Sequence, residues 1–342
     1  MISVVATVLN EGASIRQLLE SLGAQTRPAD EIVIVDGGSH DATLTILNAY
    51  TAQLPLRVIS APGANISAGR NRAIREARGD LIAVTDAGVR LPVDWLEQIT
   101  APLIDQPDVV VAAGFFRAAP HTIFEAALGA TTLPLADEID GRAFLPSSRS
   151  VAFRRSAWAN VGGYPEWLDY CEDLIFDLRL RQLSADAGAF AFVPSAAVDF
   201  RPRPSLRAFF TQYYRYARGD GKADLWRRRH AIRYLTYGAA LPLIGLLGWR
   251  VQRTLWLLYG IGAAVYLRGP YRRLPTALAA AEHAGHVRRS PLTDVYAAAL
   301  IPLIRVTGDL AKMIGYPVGW VWRLRHRPPD WRQIDPPGSA AD

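Results

Sequence analysis

Lysine is nearly missing from this chain. Of 38 basic residues only Lys222 and Lys312 are lysines, and the rest are arginine, whose planar fork favours phosphate groups. Cysteine is reduced to Cys171, which excludes an intrachain disulfide framework and a cysteine-built zinc site and fits a reducing compartment. Glycine is scarce where a dinucleotide site needs it. The first apolar run ends in Asn10-Glu11-Gly12-Ala13-Ser14, not in the G-x-G-x-x-G that brings a pyrophosphate to a helix N-terminus, and there is no P-loop. The opening Met1-Ile2-Ser3-Val4 has no basic flank or cleavage site, so no signal peptide is expected. His40 and His121 have no partner at metal-ligand spacing and are read as surface residues.

What is present is apolar content, 50% of 342 residues. That suffices for one large domain or two small ones and is too much for a disordered chain. Charge divides the chain: residues 1–200 carry 15 basic and 24 acidic side chains, and residues 201–342 carry 23 and 8. An acidic front thus precedes an arginine-rich back, suited to the phosphates of a nucleotide, a lipid head group or a nucleic acid.

The front alternates two periodicities. Residues 2–9 are a β-branched apolar run, after which Ile15, Leu18, Leu19 and Leu22 form the stripe of an amphipathic helix. Residues 31–35, 56–60 and 81–85 read as further strands, and 41–50 and 68–77 as further helices. This predicts an α/β fold with a parallel, doubly wound sheet whose functional loops sit at strand C-termini. Asn10, Asp36 and Asp86 stand at three such ends and are expected to line one crevice. Downstream, Glu172-Asp173 precedes an expected helix over 174–183, and Gln212-Tyr213-Tyr214-Arg215-Tyr216 interleaves aromatics with a cation. An anchor for phosphate or metal, a candidate base and a cationic clamp suggest group transfer from a phosphate-bearing donor. Each has a plainer reading. Asp36 before Gly37-Gly38 suits a tight turn, Glu172-Asp173 a helix N-terminus, Arg70-Asn71 an exposed helix start and Gly162-Gly163-Tyr164 a hairpin turn.

Residues 4–11, Val35-Asp36-Gly37-Gly38-Ser39-His40-Asp41, Gly69-Arg70-Asn71, Gly79-Asp80 with the run to Asp86, Val161-Gly162-Gly163-Tyr164 and Glu172-Asp173 together resemble a family 2 glycosyltransferase of GT-A fold. The resemblance covers roughly residues 1–225. It implies a nucleotide-sugar donor, an inverting single displacement and a divalent metal, Mg²⁺ or Mn²⁺. It further implies that Asn10, Glu11, Asp36 and Arg70 contact the donor, with Asp36 at the nucleobase. Asp86 would hold the metal and diphosphate, and Asp173, beside Glu172, would be the base. Gln212, Arg215 and Tyr216 resemble the Q-x-x-R-W motif of membrane-bound members, with Tyr for Trp, and would also bind the donor. One departure stands out: the family's Asp-x-Asp reads Asp86-Ala87-Gly88 here, leaving phosphates and water to complete the metal's shell.

Behind this part, Arg227-Arg228-Arg229 precede two uncharged runs, 234–249 and 254–267, separated by Arg250 and Arg253 and followed by Arg268, Arg272 and Arg273. Each run, about 15 residues, makes about 22 Å of helix against about 30 Å of hydrocarbon. The expectation is a short hairpin over about 234–267, thinly spanning or re-entrant, with the arginines and the catalytic domain on the cytoplasmic side of the cell membrane. The resulting plan is a GT-A domain over 1–226, membrane-associated apolar helices over 227–322 and a disordered tail over 323–342. The function implied is transfer of a sugar from a UDP- or GDP-sugar to a lipid-linked or cell-envelope glycan acceptor. The alternatives are a non-catalytic membrane scaffold retaining the fold and a sugar nucleotidyltransferase. The latter lacks its glycine-rich triphosphate loop here. Nucleic-acid binding is not expected, because the arginines cluster around apolar runs.

Overall fold

The computed structural model describes residues 1–183 and 187–333. The chain runs β1 (Ile2–Val8), α1 (Ile15–Gly23), β2 (Glu31–Asp36), α2 (Thr43–Tyr50), β3 (Leu56–Ser60), α3 (Ile66–Glu76), β4 (Leu81–Val84), β5 (Val89–Arg90), α4 (Trp95–Asp105) and β6 (Val111–Ala118). After α5 (Ile123–Thr132) come β7 (Val151–Arg154), α6 (Arg155–Asn160), α7 (Glu172–Leu183) and β8 (Phe190–Phe200). The remainder is helical: α8 (Leu206–Ala223), α9 (Arg227–Leu235), α10 (Leu241–Arg250), α11 (Leu257–His283) and α12 (Pro291–His326).

All four expected strands form, within a residue or two of the expected ends. Along β1, Val4, Ala6 and Val8 join one core and Val5 the other, as a period of two requires. Ile15, Leu18, Leu19 and Leu22 of α1, with Leu47 of α2 and Trp95, Leu96 and Ile99 of α4, cover the first face. Ala73 and Ile74 of α3, Ala157 of α6 and Phe176 and Leu180 of α7 cover the second. A sheet clad on both sides needs strands that are apolar on both faces, hence the unbroken runs in the sequence.

The strand order is β3-β2-β1-β4-β7-β6-β8-β5. The first four are parallel, whereas β7 pairs antiparallel with β4 and β6, and β5 with β8. The parallel reading thus holds for half of the sheet. The antiparallel half has a positional consequence: with Val84 opposite Val151, the loop entering β7 lies at the C-terminal tip of β4, where Asp86 is. Two helices start earlier than expected. The Asn65 side chain accepts from the Ala68 amide at 2.9 Å and caps α3 ahead of Ile66, and α7 begins at Glu172, so both acids sit inside its first turn.

The chain divides into two compact units, one of Met1–Arg117, Leu135–Phe200 and Pro329–Asp342, the other of Ala118–Pro134 and Arg201–Pro328. The division expected at residue 226 is therefore displaced. The helical unit takes in α5 and α8, because Ala126, Leu128 and Phe209 share a core with Leu274, Leu278, Ile301 and Ile304. Within it α8 and α12 meet backbone to backbone. A methyl on Gly315 would stand 2.2 Å from the Tyr214 carbonyl oxygen, one on Gly319 2.0 Å from that of Arg218, and one on Gly221 2.2 Å from that of Tyr316.

The expected hairpin is present with longer arms. A π-helical stretch, Thr236–Ala240, joins α9 to α10, so the first arm is one 24-residue helix, Arg227–Arg250, about 36 Å long. The second arm turns through a 3-10 segment at Arg253–Trp256 and continues in α11 to His283, well past Arg268. Tyr259 Oη donates to the Leu241 carbonyl at 2.6 Å and Trp256 Nε1 to that of Gly245 at 3.3 Å, tying the arms near the tip. Among the described residues only the first arm is long and apolar enough to cross a membrane. Residues 323–333 of the tail expected to be disordered have a described structure. Arg323 extends the α8 contact by donating to the Lys222 carbonyl at 3.0 Å, and Trp331 is buried, its carbonyl accepting from Arg179 Nε at 3.1 Å. Residues 334–342 of that expected tail lie outside the described residues.

Candidate active site

Asp86 ends the run that builds β4, and its neighbour fastens a second chain segment beside it. Thr85, fully buried, donates its hydroxyl to the Arg149 carbonyl at 3.0 Å. Arg149 Nε then lies 4.0 Å from Asp86 Oδ2, with the guanidinium 4.3 Å over the Phe200 ring and 5.3 Å from that of Phe116. The Asp86 side chain keeps 28% exposure, and a methyl placed on Gly88 would meet nothing within 4 Å. The carboxylate therefore faces open space with one cation fixed at its flank.

The other flank is Arg70, and here the structure corrects the expectation. Arg70 is 2% exposed, so it is not placed to touch a donor. Its Nη2 donates to Asp86 Oδ1 at 2.8 Å and its Nη1 to Glu172 Oε1 at 2.6 Å, with the guanidinium 5.5 Å over the Tyr164 ring. It is a strut joining the end of β4 to the start of α7. Asn71 does similar work: its Oδ1 accepts from Tyr164 N at 2.8 Å and Trp158 Nε1 at 3.1 Å, and its Nδ2 donates to Tyr164 O at 2.8 Å. This fixes the turn at Gly162 and Gly163, whose φ values of 71° and 72° suit glycine. A methyl on Gly163 would stand 2.6 Å from Asn71 Oδ1.

Cys171, a buried residue, has a left-handed φ of 66°, and from that bend α7 departs with Glu172 and Asp173 in its first turn, the end where carboxylates are favoured. The two acids separate in environment. Glu172 is buried against Arg70 and its carboxyl is pushed up to about 7, by burial first and Asp173 second, against the pull of Arg70. Asp173 is half-buried and accepts from the Leu174 amide at 2.9 Å. One turn further, Asp177 is buried with Oδ2 unpartnered, and burial and Asp173 hold its carboxyl well above the usual range. Asp173 is thus the acid of this turn that is open to an acceptor.

Asn10 and Asp36 do come together, in two loops stitched by four hydrogen bonds. Asn10 N donates to Ser39 Oγ and Glu11 N to Thr43 Oγ1, both at 2.8 Å, and Gly12 N to Asp41 Oδ2 and His40 N to Asn10 Oδ1, both at 2.9 Å. Asp36 is fully buried, accepting from Gly38 N at 3.0 Å, Ser39 N at 2.9 Å and the Ser39 hydroxyl. In this conformation it holds the turn and presents no surface to a base, so the plainer reading applies. The Glu11 carboxylate accepts from the Ser14 hydroxyl. Gln212, Arg215 and Tyr216 belong to α8 of the helical unit, where Gln212 Nε2 donates to Tyr216 Oη at 2.8 Å. The sequence alone does not mark Arg149 or Asp177 as a site residue. Arg149 stands in the serine-rich string Ser147-Ser148-Arg149-Ser150, and only the β4–β7 pairing brings it to Asp86.

Residues 3–140, which include β1 to β4, Arg70 and Asp86, match the family described as glycosyl transferase family 2. Those residues form a family 2 glycosyltransferase domain. EpsH of Bacillus subtilis, named as a glycosyltransferase, is 35% identical over 111 residues, 32% of either chain. The poly(ribitol-phosphate) β-N-acetylglucosaminyltransferase TarS of Staphylococcus aureus is 26% identical over 186 residues, 52% of this chain and 32% of its own. The chain thus spans about a third of the length of these relatives. Among solved structures, the mannosyltransferase PcManGT of Pyrobaculum calidifontis, in complex with GDP-Man and Mn²⁺, superposes with a TM-score of 0.53 at 18% identity, covering 95% of this chain and 87% of its own. At that identity the likeness establishes the fold alone, GT-A.

Proposed function

We propose that the chain is an inverting glycosyltransferase, taking a sugar from a UDP- or GDP-sugar and passing it to a lipid-linked or envelope-glycan acceptor at a membrane. The observation that carries this reading is the Asp86–Arg70–Glu172 linkage, which sets Asp173 and an open carboxylate on one rim of the sheet. In the reaction, Asp173 accepts the proton of the acceptor hydroxyl as its oxygen bonds to the anomeric carbon, and the nucleoside diphosphate leaves with the electron pair of the broken bond. Arg149 offers positive charge to that diphosphate.

A divalent cation fits in a reduced form. Asp86 offers one solvent-facing carboxylate, and no group of three metal-ligating side chains occurs among the described residues. Mg²⁺ or Mn²⁺ would be held by Asp86 with phosphate oxygens and water, and would neutralise charge on the leaving group. The complex of PcManGT with GDP-Man and Mn²⁺ supports the donor class and the metal.

Membrane association rests on the first hairpin arm and on the outward apolar side chains Leu243, Leu246, Trp249, Leu257, Ile261 and Val265, all exposed. Such a surface in water would be an aggregation site. Arg227, Arg228 and Arg229 at its base suit the anionic cytoplasmic leaflet. The test of the enzyme reading is Asp173→Asn with each donor and Mn²⁺. Loss of about 10²- to 10⁴-fold in turnover with donor affinity unchanged is expected, and undiminished turnover would remove Asp173 from the mechanism.

A further inference from the structure

The helical unit contains a polar cluster that the reaction does not use. On α12, Arg305, Asp309 and Lys312 follow at i, i+4 and i+7 and therefore share one face. Asp309 is fully engaged: Arg233 Nε donates to Oδ1 at 2.7 Å, Tyr237 Oη to Oδ2 at 3.1 Å, and Tyr266 to the same oxygen. Arg233 Nη1 also lies 3.3 Å from His230 Nδ1, and His230 Nε2 3.2 Å from Asp220 Oδ2. Both carboxylates of the cluster are thus matched by Arg233, His230 and two phenols.

Arg305 and Lys312 are left over. Among the described residues neither has a hydrogen bond or ion pair. Arg305 stacks on Tyr266 at 4.4 Å with its Nε shut off from solvent and unpartnered, and Lys312 Nζ stands 4.9 Å from the Tyr213 ring centre. Burial, then Arg233 and Arg305, push the Lys312 ammonium down to about 8, against Asp309 and Asp220. Half-buried cations held against ring faces, with no hydrogen bond or ion pair of their own, gain from an anion that completes them. The opposite side of the same helix is apolar and outward, at Leu303, Val306, Leu310 and Ile314. On the membrane reading given above, that outward face is the one lipid would cover, and the cluster lies across the helix from it.

We propose that Arg305 and Lys312 form a binding site for the phosphate group of a membrane lipid. The proposal rests on the membrane reading given above and adds the chemistry of the lipid that is held. Tyr213 joins this site to α8, the helix that bears Gln212, Arg215 and Tyr216, with the Tyr213 and Tyr216 rings 5.8 Å apart.

The test uses the full chain in neutral detergent and calorimetry with three probes: dihexanoyl phosphatidic acid, dihexanoyl phosphatidylcholine and UDP with Mn²⁺. The wild type should bind the phosphatidate in preference to the phosphatidylcholine. The double variant R305Q/K312Q should lose at least about tenfold in phosphatidate affinity and keep UDP affinity. Arg305→Lys with Lys312→Arg, which retains both charges, should restore phosphatidate binding and so exclude misfolding. Equal phosphatidate affinity in wild type and R305Q/K312Q would overturn the site. A parallel loss of UDP affinity would overturn the lipid assignment and give the cations to the nucleotide. A wild type that binds phosphatidate but no nucleotide supports this site while removing the donor reading, so the two fail separately.

Discussion

Asn71 and Tyr164, 93 positions apart, exchange two hydrogen bonds of 2.8 Å, the amide of one reading both the N–H and the carbonyl of the other. The pairing mimics one rung of a sheet, with a side chain in place of a strand. It explains why an Arg-Asn pair on α3 and a Gly-Gly-Tyr turn belong together in this fold: Asn71 sets the turn and Arg70 sets the helix that follows it.

Asn71→Asp keeps the acceptor and loses the donor. A buried carboxylate would then face the Tyr164 carbonyl, at a cost of about 2–3 kcal/mol. Denaturant unfolding at neutral pH checks this, and a change below about 0.5 kcal/mol would show that the turn stands without the amide.

Arg70→Ala leaves Asp86 and Glu172 without their shared cation. Breaking a buried charge cluster on one side costs about 3–5 kcal/mol. Measured at alkaline pH, where the Glu172 carboxyl is ionised, adding Glu172→Gln should return part of that loss, because one of the stranded charges is then gone. A double variant no more stable than Arg70→Ala would mean that the Glu172 charge is not what the arginine compensates.

Glu172 makes stability depend on pH with a definite sign. Its carboxyl rises from 4.5 to about 7 on folding, so between those values the folded chain binds a proton that the unfolded chain releases. Stability therefore falls as pH rises from about 4.5 to about 7, by about 3 kcal/mol in all. Thermal melts across that range should show a slope that Glu172→Gln flattens, and identical slopes would contradict the assignment.

Half of this architecture is readable along the sequence and half is not, for physical reasons. The parallel strands announce themselves because burial on two faces demands runs such as Ile32-Val33-Ile34-Val35, and α1 does so through its stripe of Ile15, Leu18, Leu19 and Leu22. β7 is four residues long and β8 contains Pro194 and two alanines in succession, so their strand character comes from pairing, not local preference. In the site, Asp86 and Asp173 are visible as carboxylates at element ends. Whether Arg70 is a ligand contact or a strut depends on its burial, and burial depends on a helix about 100 residues away in the chain.

Gly88→Asp supplies the carboxylate that the Asp-x-Asp pattern lacks, in space that is open in this fold. Mn²⁺-dependent nucleotide binding should tighten by about tenfold or more, with stability within about 0.5 kcal/mol of wild type. Calorimetry of UDP with and without Mn²⁺ measures it. An unchanged metal requirement would place the cation away from this loop.

The glycine contacts between α8 and α12 also impose an order on biosynthesis. The carbonyls of Tyr214 and Arg218 are covered by Gly315 and Gly319, residues translated about 100 codons later, which at ordinary elongation is about 5–20 seconds. For that interval a nascent chain carries α8 without its partner, and the apolar hairpin between them is translated before α12. The hairpin is thus available to a bilayer before the motif helix is locked.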